Sequence, residues 1–272
     1  PRELLKKYGS HERIKIEVAP HAPYTCTDEA LVSAKKLADE LGVILHIHLS
    51  ESDAEYDGSM KEYGVSPTER LFGLGILGKT TAAAHCVKMS DADLDILAKT
   101  GTGVLLNPSS NLKLGNGSAR ARDMHSRAIN LSIGTDGASS NNNLNMMEEM
   151  HLAALLYGMT PAEILEAATL GGAKSAGYSD LGLIREGFLA DIAIADLSSH
   201  NLTPHGDLIA ALCYSASASD ICDLMVSGEY VMRNRKILTF DEDAVKQTCR
   251  EIAWKLLGEE NDFRTENKSV AD

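Results

Sequence analysis

Short apolar runs alternate with amphipathic stretches along most of this chain, and each run stops at a polar, chemistry-bearing residue. That alternation constrains the fold more than any other feature. Strand, helix and strand at intervals of roughly 20–40 residues build a parallel sheet, because the helix returns the chain to the end where it started. Residues 14–18 alternate as a strand and run into Pro20-His21. Asp28–Leu41 reads as a helix: Thr27 is a natural N-cap, Asp28 and Glu29 suit the positive end of the dipole, and Leu31, Ala34, Ala38 and Leu41 form one stripe before Gly42.

The pattern then repeats. Residues 43–49 are an apolar run of strand length containing His48. Ser66-Pro67-Thr68-Glu69 is a capping box with proline at the first helical position. Thr81–His85 is a short buried strand, and Ser90 caps a helix carrying Leu94, Leu97 and Ala98 up to Gly101. Gly103–Leu106 runs into Asn107-Pro108, and 131–135 runs into Asp136. Residues 144–157 are helical, with Met146, Met147 and Met150 as packing residues, and Thr160-Pro161-Ala162-Glu163 opens a helix through Ile164, Leu165 and Ala168. The strands thus end near His21, His48, His85, Asn107 and Asp136. In a (β/α) barrel this C-terminal edge is where chemistry collects.

After about Gly182 the character changes. Residues 191–195, 222–226 and 229–232 read as short strands of a small β element, and 241–257 reads as a closing helix with a polar tail from Gly258 that is expected to fray. The expected division is 1–181 for the barrel segment, 182–240 for the β element, and 241–272 for helix and tail.

Composition narrows the function. With 44% hydrophobic and 24% charged residues the chain is neither disordered nor a small disulfide scaffold, and no apolar run reaches membrane-span length. A formal charge of −13 disfavours duplex nucleic acid, whose affinity comes from Lys and Arg on phosphates, but leaves a nucleoside in a pocket open. The 5 cysteines form no CxxC pair and are odd in number, which suits reduced thiols in a cytoplasm. The first residues are polar and basic, unlike a secretory signal. The HxE…PCxxC signature of cytidine-type zinc deaminases is absent from the sequence.

His48, His85 and Asp136, at separate strand ends, are the side-chain types that bind zinc or a similar divalent ion. Glu51, three residues past His48, is placed to move protons in the same pocket. Each also has a plain reading: a packed histidine, a turn aspartate before Gly137, an acid in the first turn of a helix after Ser50. His46 shares a face with His48 and is expected inside the barrel, behind the reacting groups. His151, His200 and His205 are expected at the surface or in structural roles, and Gly115-Asn116-Gly117 as a loop.

Five ordered segments go further: Ala19-Pro20-His21-Ala22-Pro23-Tyr24-Thr25-Cys26, His46-Ile47-His48-Leu49-Ser50-Glu51-Ser52, Ala84-His85-Cys86-Val87, Asn107-Pro108-Ser109-Ser110-Asn111-Leu112-Lys113-Leu114, and Gly134-Thr135-Asp136-Gly137 with Ser140-Asn141-Asn142. Together they resemble the amidohydrolase superfamily, nearest its methylthioadenosine/S-adenosylhomocysteine deaminase branch, which adjoins the chlorohydrolase-like aminohydrolases. The resemblance implies an α/β fold: a (β/α)8 TIM barrel of the metal-dependent hydrolase type, here strands 4–8 only, with the C-terminal portion of a small β-sandwich. It implies one divalent metal ion, zinc or iron, bound by His48 and Asp136. It implies that Glu51 is the proton shuttle, that His85 is catalytic rather than a ligand, and that Asp136 takes a proton from the metal's water. His21, Glu51 and His85 would contact the substrate. The implied reaction is hydrolytic deamination of an adenosine-like nucleoside to its inosine analogue, in a homo-oligomer. The alternatives are removal of chloride or amine from an s-triazine, and a non-catalytic remnant. Two departures accompany the match. The family's HxH pair on the first barrel strand has no counterpart here, so the segment is expected to be part of a longer chain and, alone, to bind metal weakly and show negligible activity. Asn143 and Asn145 stand where aspartates are common.

Overall fold

The computed structural model describes residues 1–257. Four parallel strands, β1 (Leu45–Leu49), β2 (Thr81–His85), β3 (Gly103–Leu106) and β4 (Leu131–Ile133), pair in chain order. Four antiparallel strands, β5 (Ile192–Ala195), β6 (Ile221–Val226), β7 (Glu229–Arg233) and β8 (Lys236–Ile237), form a second sheet. The helices between the parallel strands form where local chemistry demands. Thr27 accepts the Ala30 N–H, and the left-handed Gly42 closes that helix. The capping boxes at Ser66, Ser90 and Thr160 are each made in both directions.

Strand periodicity decides what faces the core. In β1, Leu45, Ile47 and Leu49 are fully buried, while His46 and His48 point to the other, partly open face. Along β2 every residue is buried, and its alanines let the neighbouring layers approach. The core is the layer of Leu31, Leu71, Leu94, Leu97, Met124, Met150 and Ile164 packed on these strands. Burying each such side chain contributes about 1.5–3 kcal/mol. Met150 lies in that core and Met146 and Met147 pack against it, as helix packing requires.

Three expectations are corrected. Residues 14–18 do not form a strand; a single bridge, Val18 to Leu45, remains. The Val18 N–H donates to Ile44 O and its carbonyl accepts from His46 N–H, both at 3.0 Å, but Ile14 and Ile16 gain no ladder. The expected strands 4–8 are therefore four strands and one bridge among the described residues. The helix expected over 144–157 starts at Met146, because the Asn145 side chain accepts the Met147 N–H and caps it. The helix expected through Ala168 is Pro161–Glu166 followed by a π turn, Ala167–Gly171, and Gly172–Ser175. The expected fraying from Gly258 lies outside the described residues.

That π turn presses backbone on backbone. A Cβ on Gly171 would stand 1.9 Å from the Leu131 carbonyl oxygen of β4, while one on Gly172 would meet nothing nearer than 3.9 Å. We expect Gly171→Ala to lose about 1–3 kcal/mol or more of stability. Gly172→Ala should be neutral or stabilising by up to about 1 kcal/mol, since alanine restricts the unfolded chain. Urea unfolding of the two variants checks the contrast, and equal midpoints would contradict it.

Candidate active site

His48 leaves β1 with its ring fixed. Its Nδ1 lies 2.7 Å from the His21 carbonyl oxygen, which can only accept, so Nδ1 carries the proton. The Nε2 lone pair is left free, the tautomer of a metal-ligating imidazole. The His21 ring is oriented in turn by a 2.7 Å contact from Nδ1 to Thr25 Oγ1. The rings of His21 and His48 lie 5.0 Å apart, and those of His48 and His85 stack at 5.3 Å.

The next turn presents Glu51. Ser50 is fully buried and left-handed, with φ of 49°. The Ser50 and Glu51 N–H groups both donate to the Glu55 carboxylate, at 2.9 and 2.8 Å. Burial pushes the Glu55 carboxyl pKa up; these two donors oppose the shift, the Glu51 charge adds to it, and the balance stays raised. Ser52 caps the helix Asp53–Tyr63, so Glu51 is outside that helix and not a first-turn acid. One Glu51 oxygen accepts from Asn116 Nδ2 at 2.9 Å, and the other lies 3.6 Å from His85 Nε2.

His85 ends β2 in the left-handed region, with φ of 71°, and its ring is buried. Its Nδ1 is 2.8 Å from Asn111 Oδ1. Burial lowers its pKa. The Glu51 charge and the Asn111 bond act upward, His48 adds to the lowering, Asp136 opposes it, and the net shift is downward. The imidazole is therefore neutral near pH ~7.

Asp136 follows β4, also left-handed, with φ of 59°. Ser110 Oγ and Ser140 Oγ donate to its Oδ2 at 2.6 and 2.8 Å, and the Gly137 N–H donates to Oδ1 at 2.6 Å. Burial alone would raise its pKa; these three donors and the nearby His85 outweigh it, and the carboxyl is held below its usual value.

The parallel sheet's C-terminal edge thus gathers His21, His48, Glu51 and His85 through contacts of 3.6 to 5.3 Å, with Asp136 acting electrostatically on His85. His46 faces Glu17 instead, at 3.4 Å. Among the described residues no three His, Cys, Asp or Glu side chains converge as a metal-binding group. The donor chemistry of His48 Nε2 and anionic Asp136 fits a divalent ion, but two donors are fewer than the three protein ligands a catalytic zinc site uses. Sequence reasoning missed Glu55, Asn111 and Asn116. Ser52-x-x-Glu55 has the spacing of a capping box, and Asn116 between two glycines signalled only a loop. A separate cleft of about 480 Å³ lies behind the Glu51 turn, lined by Tyr24, Glu55, Tyr63 and Arg70, and includes none of His48, Glu51, His85 or Asp136.

The lowered His85 pKa has a signed consequence. In the unfolded chain His85 takes up its proton near pH ~6.5, while the folded protein resists protonation to lower pH. The unfolded state therefore binds more protons in that window, so stability rises with pH there and its gain is complete above about pH 6.5. Urea unfolding from about pH 5 to about pH 7 should show the wild type gaining on His85→Asn as pH rises. A constant difference would contradict the assignment.

The Amidohydrolase family profile matches residues 2–231. The chain is 41% identical to 5-methylthioadenosine/S-adenosylhomocysteine deaminase of Acetivibrio thermocellus, over 94% of this chain and 62% of that protein. It is 40% identical to 5'-deoxyadenosine deaminase of Methanopyrus kandleri, over 94% of this chain and 61% of that protein. Among solved structures it is similar to an adenosine deaminase from Xanthomonas campestris with bound zinc, with a TM-score of 0.92 and 32% identity over 94% of this chain and 60% of that one. It spans about three fifths of the length of the curated relatives it matches. The profile takes in every strand-end residue described above, and the chain belongs to the amidohydrolase family.

Proposed function

We propose that this chain is part of a hydrolytic deaminase of adenosine-like nucleosides: 5'-methylthioadenosine, S-adenosylhomocysteine, adenosine or 5'-deoxyadenosine. The products are the inosine analogue and ammonia. The observation that carries this reading is the meeting of Glu51 and His85 at 3.6 Å beside an anionic Asp136. The names of the similar deaminases support it.

Replacing an amino group on a purine ring by oxygen moves two protons, both taken from the oxygen of the attacking water: one ends on a ring nitrogen and the other on the departing ammonia. A proton carrier between nucleophile and ring must be anchored yet reach two partners. Glu51 has one oxygen held by Asn116 and the other turned to His85, on a turn pinned by Glu55. It is the group that protonates the ring nitrogen, and it or Asp136 delivers the second proton to the departing ammonia. Asp136, kept ionised by three donors, takes the proton from the attacking water. His85, neutral with its Nδ1–H on Asn111, turns the Nε2 lone pair to the same space and orients the attacking water, and then the hydroxyl of the tetrahedral carbon, by accepting from it. His21, beside His48, contacts the substrate. His48 and Asp136 would hold a divalent ion, which when bound supplies Lewis acidity that makes water a nucleophile at neutral pH. Zinc is favoured by its presence in the similar adenosine deaminase structure.

We further propose that the four parallel strands are part of a (β/α)8 barrel and the antiparallel sheet part of a β-sandwich, with the chain divided as 1–181, 182–240 and 241–272; the pairing of the strands into one parallel and one antiparallel sheet supports this reading. Among the described residues no helix is long and apolar enough to cross a membrane.

Ammonia release from a panel of adenosine analogues, with elemental analysis of the same protein as its source organism makes it, tests the proposal. Stoichiometric divalent metal and deamination are expected, with Glu51→Gln lowering kcat by about 10²–10⁴-fold in a folded protein. Full activity in Glu51→Gln, or chloride release from a triazine with no action on any adenosine analogue, would contradict it.

A further inference from the structure

Glu149, on the helix Met146–Leu156, is 1% exposed, and among the described residues it forms no ion pair. Burying a carboxylate is costly unless hydrogen bonds satisfy it, and packing alone would be served better by an apolar side chain. Both of its oxygens are used. Oε2 accepts from the Ser109 N–H at 3.0 Å, and Oε1 accepts from Asn141 Nδ2 at 2.7 Å. The same Asn141 nitrogen donates to the Thr135 carbonyl at 2.7 Å. Each arm therefore ends one residue from something that fixes Asp136. Ser109 precedes Ser110, whose hydroxyl holds Asp136 Oδ2 at 2.6 Å. Thr135 precedes Asp136 itself, whose left-handed backbone persists only where its surroundings over-determine it.

We propose that Glu149 is a positioning residue: it clasps the turn after β3 to the turn after β4, so that the Ser110 hydroxyl and the Asp136 carboxylate keep one mutual arrangement. The proposal rests on the reading of Asp136 as a group at the reacting centre. Its neighbour Glu148 is exposed and bonds to Asn143, and serves as an internal control.

Glu149→Gln keeps the side-chain volume but leaves one oxygen to serve two donors. Amide hydrogen exchange followed by NMR reads the clasp directly. Exchange at Ser109 N–H and at Gly137 N–H, which reports the Asp136 carboxylate it binds, should accelerate about tenfold or more in Glu149→Gln. The thermal midpoint and the amides within β1 and β2 should stay near wild type, and Glu148→Gln should change nothing. On an adenosine analogue, kcat should fall about tenfold or more with KM within about threefold. Unchanged exchange at Gly137 would overturn the proposal, as would faster exchange there with unchanged kcat. Should the wild type turn over no adenosine analogue, the deaminase reading fails, and Gly137 exchange alone still decides the clasp. If Glu149→Gln does not fold, Asn141→Ala, which removes one arm, carries the same expectations and the same refutations.

Discussion

The site depends on how the parallel strands stop. Ser50 after β1, His85 and Cys86 at the end of β2, and Asp136 after β4 all turn through left-handed backbone while carrying side chains. Each such residue costs on the order of 1–3 kcal/mol. The cost is offset by bonds the turns make with one another. Cys86 N–H donates to Leu49 O at 3.0 Å, and Val87 and Lys88 N–H donate to Ser50 O at 3.1 and 2.8 Å. Glu55 satisfies the Ser50 and Glu51 N–H groups from the other side. A strand run straight on would send successive side chains to opposite faces of the sheet. The sharp turns bring residues from three strand ends to one place.

That place treats its ionisable groups differently, and the difference is physical rather than compositional. His85 is buried, and the acceptors that favour its charged form, the Glu51 carboxylate and Asn111 Oδ1, do not outweigh its desolvation, so it is neutral. Asp136 is partly buried too, but two hydroxyls and an N–H solvate its charge, and it is anionic. Environments that push neighbouring groups apart in this way separate acid and base roles. Glu55 is a third case: two backbone donors fall short of balancing its burial beside Glu51.

Much of this was legible in the residues. Thr27, Ser66, Ser90 and Thr160 announced helix starts because their capping is local chemistry, and the structure makes each bond. Strand ends at His48, His85 and Asp136 followed from apolar runs that stop. Residues 14–18 misled because alternation is necessary for a strand but a partner along its length is also required, and only Val18 has one. Asp53–Tyr63 gave little signal, since its polar sequence with Gly58 lacks a stripe. Glu55, Asn111 and Glu149 were invisible as site residues for a common reason. They act on backbone groups or rings brought near by tertiary structure, and nothing in spacing reports that. The donors that would complete a metal site beyond His48 and Asp136 are likewise absent among the described residues.

The arrangement of Glu51, His85 and Asp136 is best tested by a crystal structure of the metal-loaded protein with an adenosine analogue tetrahedral at the amino-bearing carbon. A purine ring nitrogen is expected within about 2.6–3.2 Å of the Glu51 carboxylate, with His85 and Asp136 on the oxygen of the tetrahedral carbon. An analogue seated instead in the cleft of Tyr24, Tyr63 and Arg70, with Glu51 beyond hydrogen-bond reach, would contradict it.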